Sequence, residues 1–337
     1  MAKKGFDWRE LPIDRWGMNP IRDLMTIARC VSVYRRERPD LCHHFTIKPV
    51  LYGTLAAQLT GIPAVVNSIT GLGYLFEEET FGARILRRLA EALLRRTKGN
   101  AKFRFVFQQA DDLSYFVQSG ALSGMQARII EGSGVNLEEF PSTPDPQGVP
   151  VITFVGRMIR RKGVGDLIRA EEILRAKGLK AKVMLVGPVE EGNPSAIPRD
   201  EIEKWVRQGN IEWLGYREDV QRIYSRSHIV ALPTYYGEGI PKSLLEAAAS
   251  ARPIVASDIP GCREIVYNGE NGILVPPRDP PALADALERL IEAPELRVRM
   301  GERSREIVST RFDSQRIDGE TISLYAELVP ELKPKIR

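Results

Sequence analysis

The chain has 337 residues, 43% of them hydrophobic and 27% charged, with a formal net charge of +4 and a pI near 8.9. Such a polypeptide is globular, long enough for two domains, and too weakly basic to argue for a nucleic-acid binder. Its three cysteines (Cys30, Cys42, Cys262) and three histidines show neither disulfide nor zinc spacing, no apolar run is long enough to cross a bilayer, and the opening MAKKGFDWRELPID has no secretion-signal core, so a cytoplasmic location is expected.

Short apolar runs alternate with amphipathic segments, the pattern of βα units around parallel sheets. Asn19 as cap and Pro20 at the first helical position predict a helix over 20–37. A strand is expected over 41–45, a helix over 49–60, a buried strand in IPAVVNSI and a basic helix over 83–98. FRFVFQ reads as a strand, 111–118 as a helix and ARIIEG as a strand. PSTPDPQGVP, residues 141–150, is rich in proline and turn residues and reads as an interdomain linker. The rhythm then restarts with strands VITFV, KVMLVG, IEWLG, IVALPT, PIVASD and GILVP, helices between them, two more over 280–309 and a last one over 313–328. The expectation is an α/β protein of two Rossmann-like, doubly wound parallel-sheet domains, 1–140 and 151–312, with a C-terminal helix and tail over 313–337 packing back toward the first. Ligands of such sheets bind in the crevice at the carboxyl ends of the strands.

One candidate site lies in PTYYGEGIPKSLLEA, from Pro233. Pro241 suits a first helical turn, and the free N–H groups behind it make an anion site. Gly237 and Gly239 let backbone approach a ligand. Glu238 can accept from sugar hydroxyls, and Glu246, a turn and a half into the helix, from a ribose diol. A second lies in VITFVGRMIRRKG: Gly156 ends a strand, and Arg157 and Lys162 flank the loop that follows. Two cations there would stabilise a diphosphate leaving group as it gains charge. From the residues alone, both glutamates also fit ordinary solvated positions, and the basic loop an ordinary connection.

FVGRMIRRKG, PTYYGEGIPKSLLEA and SDIPGCREIVYNGENGILVPPRDPPALADAL, in this order, resemble the retaining, GT-B-fold glycosyltransferases of family four. The resemblance covers roughly residues 39–328. It implies that Arg157 and Lys162 hold the donor diphosphate with the backbone of Lys242 and Ser243, that Glu246 takes the ribose, and that Glu238 touches the donor sugar. Leu214 and Gly215 would border the base. Within the family, HHFTIKPVLYGTLAA and SITGLGYLF resemble bacterial enzymes that build O-antigen, capsule or glycan chains on undecaprenyl diphosphate, many of them using UDP-N-acetylhexosamines. Lys48, Thr70, Gly71 and Gly73 are then candidates for the acceptor side, Thr70 standing where many relatives carry a histidine. The resemblance implies a UDP-sugar donor, front-face displacement with the leaving phosphate as base, and no required metal or other cofactor.

Compared with the family pattern, the first domain lacks its opening strand-helix portion, and GFDWRELPID resembles a third strand. Three readings stay open: a truncated enzyme, a half that needs a partner chain, or a rebuilt first domain with activity reduced or lost, at the limit a nucleotide-sugar-binding pseudoenzyme. Exposed sheet edges also favour association with another chain, a second copy or a partner. Residues Arg84–Arg104 carry six Arg, two Lys and one Glu. On a helical wheel Ile85, Leu86, Leu89, Ala90, Leu93 and Leu94 share one side and Arg84, Arg87, Arg88, Arg95 and Lys98 the other, which suits a sheet-covering helix or a peripheral contact with the anionic inner face of a membrane.

Overall fold

The structure, a computed structural model, describes residues 7, 9–11, 13, 19–70, 81–235, 237 and 239–332. They fall into two compact units, Met1–Ile130 with Glu320–Arg337, and Glu131–Gly319.

The first unit runs α1 (Pro20–Glu37), β1 (Leu41–Phe45), α2 (Ile47–Thr60), β2 (Ala64–Ile69), α3 (Phe81–Arg95), β3 (Phe103–Phe107), α4 (Ala110–Gln118) and β4 (Ala127–Ile129). As expected, Asn19 caps α1, its side-chain oxygen accepting from the N–H of Ile21 at 3.0 Å and of Arg22 at 3.3 Å. α2 starts two residues earlier than expected, because Thr46 makes the turn at φ 69 and Pro49 is accommodated in the first turn, where no N–H is needed. The strands pair in parallel in the order β1-β2-β3-β4, without reversal among the described strands. Every residue of β2 is buried, as a central strand covered on both faces requires. The core gathers Phe103, Phe105 and Phe107 of β3 with Val65, Ile69, Val50, Leu94 and Phe116. Of residues 5–14, expected to hold a strand, the described ones are irregular; the others lie outside the described residues.

The wheel assigned to 83–98 needs correction. Ala90 and Leu94 are buried, but Leu89 is 61% exposed and Glu91 is inside. Glu91 turns inward because the Tyr115 hydroxyl of α4 donates to it at 2.8 Å and Arg95 reaches it at 3.5 Å. The side chains of Ile85 and Leu86 lie outside the described residues.

The second unit contains β5 (Val151–Val155), α5 (Val164–Ala176), β6 (Lys182–Val186), α6 (Arg199–Gln208), β7 (Ile211–Trp213), α7 (Val220–Tyr224), β8 (Ile229–Leu232), α8 (Lys242–Ala249), β9 (Ile254–Ser257), α9 (Pro260–Arg263), β10 (Gly272–Val275), α10 (Pro280–Glu292) and α11 (Pro294–Arg311). All six strands are parallel, in the order β10-β9-β8-β5-β6-β7. That is the doubly wound order, with its reversal between β5 and β8. α12 (Ser314–Leu328) begins in this unit and ends in the first. There Tyr325 bonds to Nδ1 of His43, and Arg128 grips Glu327 with two bonds of 3.0 and 2.9 Å.

The expected linker, 141–150, belongs to the second unit instead, and the division falls after Ile130. Two buried arginines hold the segment. Arg252, 1% exposed, donates to the carbonyls of Thr143 and Pro144. Arg297 pairs with Asp145 at 2.7 Å and also donates to the carbonyls of Leu290 and Ile291. Upstream, Val135 exchanges backbone bonds with Phe312 and Ser314 at 2.9 and 3.0 Å. Proline content signalled an irregular segment; its anchoring depends on side chains more than a hundred residues away.

Candidate active site

In a doubly wound sheet the crevice opens where the strand order reverses, at the carboxyl ends. Here those strands are β5 and β8, and both sequence motifs leave from them. Gly156 continues β5, its N–H donating to Val186 at 2.9 Å, and Arg157 follows. A short turn, Arg160–Lys162, leads to Gly163, which opens α5 at φ 74. Glycine is required there: an added Cβ would stand 1.9 Å from the carbonyl oxygen of Pro233, at the end of β8. The two loops are also bonded together, since Tyr235 N–H donates to the Arg161 carbonyl at 2.9 Å. Gly163 thus fixes Lys162 beside the loop that leads to α8.

That loop runs through Gly237 and the buried Gly239 to Pro241. Glu238 lies outside the described residues. Pro241 is the cap, and α8 starts at Lys242 with no side chain capping it. Its first N–H groups, on Lys242 and Ser243, therefore have no intrahelical partner and carry the positive end of the helix dipole. Glu246 is one turn further on, its side chain 12% exposed. The hydroxyl of Tyr224, which the sequence did not single out, donates to the Ser243 carbonyl at 2.9 Å and reaches Glu246 at 3.4 Å. Lys242 stands 3.7 Å from the same carboxylate. Burial pushes the Glu246 carboxyl above its usual range, Lys242 and Tyr224 pull it back, and Glu139 adds to the rise. Tyr224 is fully buried and stays a neutral donor, its phenol held well above its usual range by burial.

The neighbouring strands extend this edge. Gly187, after β6, donates to the Gly215 carbonyl at 2.8 Å, and Leu214 to the Leu185 carbonyl at 3.0 Å. Leu214 and Gly215 therefore sit level with Gly156, two strands away. Arg157 bonds to Glu190 at 2.6 Å, and Asn193 donates to the same carboxylate at 2.7 Å. Glu190 was not singled out either; its place in a loop after a strand at this edge was the available signal.

The second unit so brings together Gly156, Arg157, Lys162, Leu214, Gly215, Gly239, Pro241, Lys242, Ser243 and Glu246 at one sheet edge. Lys48 and Thr70 belong to the first unit, at the carboxyl edge of its own sheet, where the Thr46 N–H bonds the Ser68 carbonyl at 3.0 Å. Gly71 and Gly73 lie outside the described residues. His43 and His44, unassigned in the sequence, are tied up in the sheet: His43 with Ser68 at 2.7 Å, His44 with Tyr34 at 2.6 Å and Asn67 at 2.7 Å. Burial holds both imidazoles below their usual range, His43 down to about 4. Among the described residues no three or more His, Cys, Asp or Glu gather as metal ligands, and no helix is long and apolar enough to cross a membrane.

Two family models match the chain in order: "Glycosyl transferase 4-like" over residues 3–99 and "Glycosyl transferases group 1" over 149–293. The chain is 26% identical to the capsular polysaccharide biosynthesis glycosyltransferase CapM of Staphylococcus aureus, over 93% of its own length and 83% of the relative's. It is 25% identical to the N,N'-diacetylbacillosaminyl-diphospho-undecaprenol alpha-1,3-N-acetylgalactosaminyltransferase of Campylobacter jejuni, over 94% and 84%. Among solved structures, Alr3699/HepE of Anabaena in complex with UDP-glucose superposes with a TM-score of 0.76 at 21% identity, covering 92% of this chain and 84% of that one. The fold is therefore GT-B-like, with two parallel-sheet α/β domains. The chain is a glycosyltransferase of the sugar-nucleotide type, matched in order by the 4-like and the group 1 glycosyl transferase models.

Proposed function

We propose that the chain transfers a hexose or N-acetylhexosamine from a UDP-sugar, with retention, to a glycan or lipid-linked acceptor. The observation that carries this is the convergence at the β5/β8 switch point: Lys162 fixed by Gly163, the uncapped start of α8, and Glu246 set by Tyr224. In this reading Glu246 accepts both ribose hydroxyls. The N–H groups of Lys242 and Ser243 meet phosphate, and Leu214 and Gly215 border the base. Lys162 and Arg157 take up the charge that develops on the departing diphosphate. Arg157 must exchange Glu190 for phosphate to do so. Glu238 contacts the donor sugar. The leaving phosphate oxygen accepts the proton of the attacking hydroxyl, so no protein base is needed. Lys48, Thr70, Gly71 and Gly73 serve the acceptor. UDP-glucose bound to the Anabaena protein and the diphospho-undecaprenol in the Campylobacter enzyme's name support this donor and acceptor class.

An acceptor on a lipid also gives the exposed face of α3 a role. Arg84, Arg88 and Leu89 are exposed together there. A leucine among arginines suits the interface of an anionic membrane, the acyl boundary taking the leucine and the headgroups the guanidinium groups.

The test is incubation with UDP-glucose, UDP-galactose and their N-acetylamino counterparts, with and without a short-chain GlcNAc-diphosphoprenol. Expected is UDP release from at least one donor and an α-linked product from an α-linked donor. A β-linked product would remove the retaining mechanism, and absence of transfer and hydrolysis with all four would overturn the donor assignment.

A further inference from the structure

At its carboxyl edge the four-stranded sheet of the first unit ends in three connections: β1 to α2, β2 through Thr70, and β3 to α4. The register sets them level, Phe45 pairing with Ser68 and Ile69 with Phe107. α4 buries Asp112 and Phe116, one turn apart on one face. Phe116 packs on Phe107 with ring centroids 5.5 Å apart. Asp112 precedes it by a turn, in the first turn of the helix that leaves the carboxyl end of β3. It is 8% exposed, and its buried Oδ2 has no hydrogen-bond partner. The two other buried acids among the described residues each have a cation nearby: Glu91 has Arg95 at 3.5 Å, and Glu171 has Arg175 at 3.3 Å. Burial, and after it the like charge of the neighbouring Asp111, pushes the Asp112 carboxyl up to about 6. A first-turn carboxylate ordinarily accepts from N–H groups of its own turn; Asp112 does not, and so carries the desolvation cost of a buried acceptor without the bond that offsets it.

We infer that Asp112 is a sugar-binding residue of the acceptor site, its carboxylate accepting hydroxyl or acetamido N–H groups of the acceptor sugar. This rests on the glycosyltransferase reading above. The chemistry selects the ligand. A buried acceptor without donors calls for donors, and two adjacent carboxylates repel phosphate. The sugar ring of the acceptor, not its diphosphate, fits here.

The test separates donor from acceptor binding. UDP affinity is measured by titration calorimetry on the full chain, and binding of a short-chain GlcNAc-diphosphoprenol and of free N-acetylglucosamine by saturation-transfer NMR and titration, each for wild type, Asp112→Asn, Asp112→Ala and Asp112→Glu. Expected is a loss of at least tenfold in affinity for both sugar probes in the Asn and Ala variants, partial recovery in Glu, and unchanged UDP affinity in all. Equal sugar affinity in wild type and Asn variant overturns the inference, and so does a wild type that binds UDP but neither sugar probe. Failure to bind UDP would sink the donor reading separately, while the sugar arm still reports on Asp112.

Discussion

Gly163 joins the two halves of the candidate donor site, and its replacement tests whether that junction is as tight as its geometry implies. An alanine Cβ would stand 1.9 Å from the Pro233 carbonyl oxygen and 2.5 Å from its carbon, and the backbone is held at φ 74. The left-handed conformation costs a non-glycine residue about 1–2 kcal/mol, and forcing packed backbone apart about 1–3 kcal/mol more. Gly163→Ala should therefore destabilise the second unit by about 2–5 kcal/mol. Gly165, two residues on and inside α5, has nothing within 4 Å of an added Cβ. Gly165→Ala should instead stabilise by about 0.5–1 kcal/mol, through helix propensity. Urea unfolding followed by tryptophan fluorescence reports on this unit through Trp205 and Trp213. UDP affinity should fall with Gly163→Ala, because Lys162 moves with the loop, and hold with Gly165→Ala. A Gly163→Ala protein as stable as wild type within about 0.5 kcal/mol would refute the reasoning.

Gly53→Ala should disrupt the first unit by about 2–4 kcal/mol, since its Cβ would stand 2.3 Å from the His44 ring nitrogen that Tyr34 bonds; lost hydrogen-exchange protection in β1 and β2 checks this. Asp112 titrates near 3.8 when free and at about 6 in the fold, so its contribution is most favourable below pH 4 and is lost as pH rises through 6. Relative to Asp112→Asn, the wild type should lose about 1–3 kcal/mol between pH 4 and pH 7.5, the lower value reflecting solvent screening, and parallel stability curves would contradict this. Because Tyr224 and Lys242 lower a Glu246 carboxyl that burial raises, UDP affinity should weaken on acidification, the weakening should set in at higher pH in Tyr224→Phe, and it should vanish in Glu246→Gln; calorimetry across pH reads all three.

Much of the second unit was legible because its strands are short β-branched runs buried on both faces, bounded by glycine, proline or a helix cap. VITFV and KVMLVG leave little ambiguity of type, and the pairing of a strand end with Arg157 and Lys162 follows from βα order alone. What was not legible depended on distant partners. Tyr224 sits in a five-residue helix with no motif around it and matters only because α8 packs against it. Glu91 was placed by a hydroxyl from α4, which turned Leu89 outward against the helical wheel. The unit boundary moved from the proline-rich segment to Ile130 because buried Arg252 and Arg297 reach back to residues 143–145. The start of α2 shifted because a threonine, not a glycine, takes the positive-φ turn before it.

The central claim is that the β5/β8 switch point of the second unit holds a uridine diphosphate. Titration calorimetry of the full chain with UDP, alongside Glu246→Ala and Lys162→Ala, tests it most directly. Expected is binding by the wild type and a loss of about tenfold or more in each variant, the scale of one charge-assisted contact of about 1.5–3 kcal/mol. Wild-type binding that neither substitution weakens would place the nucleotide elsewhere, and no binding by the wild type would contradict the claim outright.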